Sequence, residues 1–135
     1  MEINNIDSQK EQKAWREVKY KEKFINAFRG LRVFWITTSN LYIHIIVTVV
    51  VVSLGFYFNI SNIEWTLLVF ASGFVIVSEA FNTAIEIDID LTSPEYHPYA
   101  RDTKDVAAAG VLLSVFVAII VGLIIFLPYF IANFF

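Results

Sequence analysis

Residues 79–90 read Glu-Ala-Phe-Asn-Thr-Ala-Ile-Glu-Ile-Asp-Ile-Asp. At about 100° per residue, Glu79, Asn82, Thr83, Glu86 and Asp90 fall on one face of a helix, and Phe81, Ile85 and Ile89 fall on others. Carboxylates gathered in this way can take a proton from a substrate or hold a hard divalent cation. A turn-forming stretch follows, Thr92-Ser93-Pro94-Glu95-Tyr96-His97-Pro98, and then Arg101, Lys104 and Asp105. Acids that bind a cation, with basic groups nearby for phosphate, are the parts that phosphoryl transfer needs. Plainer readings exist for several of these residues. Asp88 and Asp90 suit a solvated helix end, Asn82 a helix-packing hydrogen bond, and His97 an ordinary surface. Asp105 near a helix start suits the helix dipole.

Other chemistries find no support. The five glycines, at 30, 55, 73, 110 and 122, form neither GxxxxGK nor GxGxxG. A P-loop or soluble-kinase fold is therefore excluded. There is no nucleophile elbow for Ser-His-Asp hydrolysis. With no Cys in the chain, disulfides, thiol nucleophiles and cysteine-bound metals are excluded as well. No nucleic-acid partner is expected.

The elements that must carry these residues are membrane spans. The 135 residues are one domain's worth of chain, 57% hydrophobic and 17% charged, with 13 Phe. Apart from His44, no Lys, Arg, Asp, Glu or His occurs in 41–58, and none at all in 65–78 or 106–135. A bilayer core takes roughly 20 mostly apolar residues, so three helical spans are predicted, at about 41–58, 65–87 and 106–127. Val47 to Val52 has strand propensity in water, but a lone strand in lipid leaves its backbone unsatisfied, and a helix wins. Three long continuous runs do not make a barrel. Eight Lys and Arg precede the first span, two lie between the second and third, and the 59–64 connection has none. The positive-inside rule puts the N-terminus and the 88–105 loop in the cytoplasm, with the 59–64 turn and the C-terminus outside.

Counting from Trp65 at 1.5 Å per residue, Glu79 lies about 21 Å along the second span, inside the hydrocarbon. An ionisable group there costs roughly 2.5–3.5 kcal/mol on insertion scales and is functional by default. Ahead of the spans, residues 1–22 form a charged arm whose first ten residues are expected to be disordered. About 40 polar and amphipathic residues precede the first span, so no cleavable signal peptide is expected. Phe24, Phe28, Leu31 and Trp35 lie at i, i+4, i+7 and i+11, with Lys23, Arg29 and Arg32 off that face. This pattern suits a helix lying in the membrane interface, or one packed on its own protein.

At these residues the sequence resembles the prokaryotic diacylglycerol kinase family, and within it the undecaprenol kinase branch. The likeness rests on Glu79-Ala-Phe-Asn-Thr-Ala-Ile-Glu86, Asp90, Ser93-Pro-Glu-Tyr-His-Pro98 and Lys104-Asp-Val-Ala-Ala-Ala109. Weaker support comes from Phe24 to Gly30, Asn40-Leu-Tyr-Ile-His44 and Gly122 to Pro128. The resemblance implies an all-α homotrimer of three-span chains with an N-terminal interfacial helix, in the bacterial cytoplasmic (inner) membrane. It implies transfer of the γ-phosphoryl group of ATP, with Mg2+ or another divalent cation, to a lipid hydroxyl at the cytoplasmic interface. Undecaprenol is favoured and diacylglycerol comes next. By resemblance Glu79 is the general base and Glu86 the metal ligand, with Asn82 and Arg32 shaping the site. Lys19, Glu95, Tyr96, His97, Lys104 and Asp105 contact the nucleotide. Thr38 stands where the family usually has a second metal-binding glutamate, and Tyr42 where a basic residue is common. A hydroxyl is a weaker partner for a hard cation than a carboxylate. The alternative is therefore a weakened or inactive trimeric homologue that binds lipid or nucleotide. A proton or ion pathway through Glu79 is a third reading, and it leaves the 95–105 residues unexplained.

Overall fold

The structure, a computed structural model, describes residues 20–38 and 40–134. Its helices are α1 (Tyr20–Thr37), α2 (Leu41–Phe58), α3 (Asn62–Thr92) and α4 (Pro98–Phe134). The chain divides into two compact units, with the boundary between Ile36 and Thr37. The first contains α1, on which Phe24, Phe28, Leu31 and Trp35 are all exposed. Lys19, most of the charged arm and its expected disorder lie outside the described residues.

The second unit holds α2, α3 and α4, each long and apolar enough to cross a membrane. The bounds of α2 are those expected from its charge-free run, whereas α3 and α4 outrun their expected spans at both ends. Ser61 begins α3 three residues early. Its hydroxyl accepts from the Glu64 N–H at 3.4 Å, and the Glu64 carboxylate accepts from the Ser61 N–H at 2.7 Å. This reciprocal capping box satisfies two backbone donors that the helix end would otherwise leave open. The connection shrinks to residues 59–61, where Asn59 adopts φ 52° and its N–H reaches the Gly55 and Phe56 carbonyls. The 31 residues of α3 measure about 46 Å, against a hydrocarbon core of about 30 Å, so its last turns project beyond the apolar zone.

Helix α4 starts at Pro98, eight residues before the expected span. Proline suits a first helical position, where an N–H has no partner in the helix. Asp105 therefore sits two turns inside α4 and does not cap it; it lies 4.0 Å from Arg101, one turn earlier. The expected end at 127 is also overrun. Pro128 lies inside α4, two residues after the buried Phe126; membrane helices accept a proline where neighbouring helices hold them. Tyr129, immediately after it, donates its hydroxyl to the Glu64 carboxylate at 2.9 Å.

That contact borders the apolar core, which sits at the 59–61 end of the bundle. Ile60, Leu68, Ile125 and Phe126 are buried there, packed by Val51, Leu54, Phe58, Trp65, Val121 and Tyr129. The Phe58 ring meets the rings of Phe126, Tyr129 and Phe130. Phe70, Phe74, Phe81, Leu112 and Phe116 instead point outward. An apolar exterior of this extent suits lipid or further copies of the chain better than water. At Gly55 the Trp65 indole fills the space a side chain would need: a Cβ there would lie 2.8 Å from the ring. Gly55→Ala is expected to displace the indole and cost about 1–3 kcal/mol. Denaturation in detergent checks this, and an unchanged midpoint would contradict the close approach.

Candidate functional site

Helix α3 buries one stripe: Leu68, Ala71, Val75, Glu79 and Thr83. The first three are apolar; Leu68 belongs to the core cluster, and all three border an apolar cavity between the helices. The stripe then turns polar, and each polar member finds a partner on the segment containing the start of α2. Glu79, 5% exposed, has its Oε1 at 2.8 Å from Nε2 of His44. Thr83 and Thr38 share a hydroxyl–hydroxyl bond of 2.7 Å. Neither partner is surprising physically, since a buried carboxylate or hydroxyl without a hydrogen bond is costly.

The next polar pair lies along the same helix. Asn82 donates its amide to Glu86 Oε1 at 2.9 Å, one turn away, as i and i+4 side chains allow. The other end of that amide is open: Asn82 Oδ1 is buried and has no hydrogen-bond partner. Further on, Asp90 accepts from Lys104 of α4 at 2.5 Å, which ties the projecting end of α3 to the start of α4. The face drawn from sequence thus divides in three, with 79 and 83 buried, 82 and 86 linked to each other, and 90 turned to α4.

The 93–97 connection and the first turns of α4 enclose a surface pocket of about 280 Å³. Glu95, Tyr96, His97, Lys104 and Asp105 all line it, as do Asp90 and Arg101. His97 Nδ1 accepts from the Tyr99 N–H at 3.2 Å. Arg101 donates to Asp102 at 2.8 Å and to the Tyr96 hydroxyl at 3.4 Å. The pocket is polar, exposed and mixed in charge. Arg32 is exposed on α1, and Lys19 lies outside the described residues.

Among the described residues, no group of three or more His, Asp or Glu is arranged to hold a metal ion. Glu86 and the orphaned Asn82 oxygen are nevertheless neighbouring oxygen donors. Mg2+ is commonly held by one or two carboxylates, with substrate phosphates and water supplying the rest. The donor set fits such an ion, and the Thr38 hydroxyl is hydrogen-bonded to Thr83.

His44 was not among the residues singled out from sequence, yet a depth argument finds it. It stands 14 residues before the end of α2, and Glu79 stands 14 residues after Trp65 on the returning helix. At 1.5 Å per residue His44 is about 21 Å from the turn, and Glu79, 17 residues into α3, is about 25 Å from it, which is within one helical turn of the same depth. Asp90 and Arg101, expected from sequence near the nucleotide-contacting residues but given no role of their own, line the same pocket. Glu64 and Tyr129 carried no sequence signal for their meeting.

Comparison with known proteins agrees with this architecture. A family model described as prokaryotic diacylglycerol kinase matches residues 25–126. An undecaprenol kinase of Bacillus subtilis (strain 168) is 34% identical over 82% of this chain and 89% of that protein. A diacylglycerol kinase of Synechocystis is 35% identical over 78% of this chain and 61% of that protein. A diacylglycerol kinase of Escherichia coli (strain K12) is 28% identical over 77% of this chain and 85% of that protein.

The Thr38–Thr83 bond makes a separable prediction. Thr38→Val leaves the buried Thr83 hydroxyl without its partner and is expected to cost about 1–3 kcal/mol of stability. Adding Thr83→Val should recover part of that loss, and a double-mutant cycle in detergent checks the coupling. Strictly additive losses would show that the two hydroxyls do not interact.

Proposed function

This chain belongs to the prokaryotic diacylglycerol kinase family, and we propose that it transfers the γ-phosphoryl group of ATP to the hydroxyl of a membrane lipid, undecaprenol in preference to diacylglycerol. The observation that carries the reading is a carboxylate, Glu79, buried on a membrane-length helix and followed toward the same end by Asn82, Glu86 and a polar pocket. The lipid preference rests on the relative named as an undecaprenol kinase, which matches over most of both chains.

Glu79 is the general base. It takes the proton of the lipid hydroxyl as that oxygen forms its bond to the γ-phosphorus. The bond from this phosphorus to the bridging oxygen breaks, and ADP leaves. A carboxylate at this depth meets a lipid alcohol where bulk water is scarce, which favours proton transfer from substrate over solvent. Tyr96 and His97 offer ring faces and polar atoms to a nucleotide, with Glu95 and Asp105 beside them. Lys104 and Arg101 offer positive charge to its phosphates. Both cations carry acid partners, Asp90 and Asp102, so nucleotide binding exchanges one anion for another. Glu86 and Asn82 Oδ1 are the pair that would hold Mg2+, which when bound offsets the charge of the phosphates. Arg32 is assigned to substrate recognition and Lys19 to the nucleotide, both from the family likeness.

The proposed setting is the bacterial cytoplasmic (inner) membrane, with the 93–97 pocket and the N-terminus on the cytoplasmic side, as the Lys and Arg distribution favours. Helix α1 lies in the interface with Phe24, Phe28, Leu31 and Trp35 toward lipid. Three copies assemble, which gives the outward apolar faces of α3 and α4 partners as well as lipid.

One observation favours a second reading, a homologue that binds lipid or nucleotide without turnover: Thr38 is occupied by Thr83 and supplies no carboxylate. Purified protein supplied with γ-labelled ATP, magnesium and either lipid separates the two. Label is expected in undecaprenyl phosphate, several-fold faster than in phosphatidic acid. No labelled lipid above a protein-free blank would overturn the kinase reading, and faster diacylglycerol phosphorylation would overturn the preference alone. Thr38→Glu is expected to change the rate by less than about tenfold, because one carboxylate with substrate phosphates can hold Mg2+. Activity that appears only in Thr38→Glu would establish the second reading.

A further inference from the structure

A glutamate acting as base must present one carboxylate oxygen to the incoming hydroxyl in a fixed direction, and its long side chain has several rotamers to choose from. Burial alone does not select among them. In this chain a second side chain does: Oε1 of Glu79 is held at 2.8 Å by His44 Nε2. The His44 and Glu79 side chains are 17% and 7% exposed, so water competes little for either partner. His44 also borders a mostly apolar cavity of about 270 Å³, lined in part by Val47, Val75 and Ala118. On that side the ring meets little that could draw it away from the carboxylate.

We propose that His44 is a positioning residue for phosphoryl transfer: it holds Oε1 of Glu79 and so leaves Oε2 directed at the lipid hydroxyl. The inference rests on the kinase reading above. An ionised carboxylate only accepts hydrogen bonds, so Nε2 of His44 carries the hydrogen in the pair. His44 neither gains nor loses a proton during the transfer; the proton of the lipid hydroxyl goes to Oε2. The element that aims the base is thus supplied by α2, and the base itself by α3.

Histidine occurs only at 44 and 97, so ring-nitrogen NMR of 15N-histidine-labelled protein reads His44 directly, with His44→Gln assigning the signal. The Nε2–H tautomer is expected in the wild type and is expected to be lost or mixed in Glu79→Ala. In parallel, kcat and the KM for ATP are measured for wild type, His44→Leu and His44→Gln. Leucine removes the donor, and kcat is expected to fall at least about tenfold with the KM for ATP within twofold. The Gln amide can reach where Nε2 stands, and it is expected to restore kcat to within about fivefold of wild type. Circular dichroism confirms that each variant retains its helices.

Three results would overturn the proposal. One is a His44 signal indifferent to Glu79→Ala. Another is His44→Leu with kcat within twofold of wild type. The third is loss in both variants with a parallel rise in the KM for ATP, the mark of general damage. If the wild type phosphorylates no lipid, the kinase reading falls and the positioning role falls with it. The NMR signal still states whether the pair exists, so the two failures are distinguishable.

Discussion

A carboxylate placed among apolar side chains has to be hydrogen-bonded, and much of this bundle is arranged around that requirement at Glu79. The residue lies on the buried stripe of α3, where Leu68, Ala71 and Val75 precede it and Thr83 follows. His44 answers Glu79 and Thr38 answers Thr83. Two contacts along one pair of segments fix more than one can. A slip of one residue turns a helix by about 100° and would part His44 from Glu79, so that pair marks the register of α2 against α3, while Thr38–Thr83 ties the connection ahead of α2 to the same stripe. The residues proposed for chemistry are also residues that register the fold.

The opposite end of the bundle is held differently. There the Glu64 carboxylate receives the Ser61 N–H, the Ser61 hydroxyl and the Tyr129 hydroxyl, beside the cluster of Ile60, Leu68, Ile125 and Phe126. Packing and a capping box therefore secure the 59–61 end, while polar pairs secure the other. The end with the pocket has exposed ion pairs, Lys104–Asp90 and Arg101–Asp102, which are weak and exchangeable in water. That contrast suits a site where a charged ligand must enter and leave.

Much of the fold was legible because lipid makes the sequence blunt. A charge-free run of membrane length must be helical, and α2 has the bounds its run implied. The ends of α3 and α4 were less legible for local reasons. The Ser61–Glu64 capping box and Pro98 at a helix start both extend helices into stretches that read as turns. Helix α4 also continues through Pro128, beyond the expected span, with Tyr129 anchored on Glu64. At the site, Glu79 was conspicuous because a charge in hydrocarbon is costly. His44 was not, because an uncharged imidazole in an apolar run raises no comparable alarm. Its place beside Glu79 appears only when the two antiparallel helices are laid side by side. Glu95, Tyr96, His97, Lys104 and Asp105 line one pocket, as the family pattern suggests, and the geometry adds Asp90 and Arg101 to its lining.

The central claim is that Glu79 accepts the proton of the lipid hydroxyl. It is tested most directly by single-turnover lipid phosphorylation in proteoliposomes, comparing wild type with Glu79→Gln and measuring ATP binding in the same preparations. The glutamine keeps the shape and a hydrogen-bonding group for His44 but cannot take the proton. The account predicts a loss of roughly 10²–10⁴-fold in the chemical step with ATP binding unchanged. A Glu79→Gln protein that phosphorylates lipid within a few-fold of the wild-type rate would contradict it.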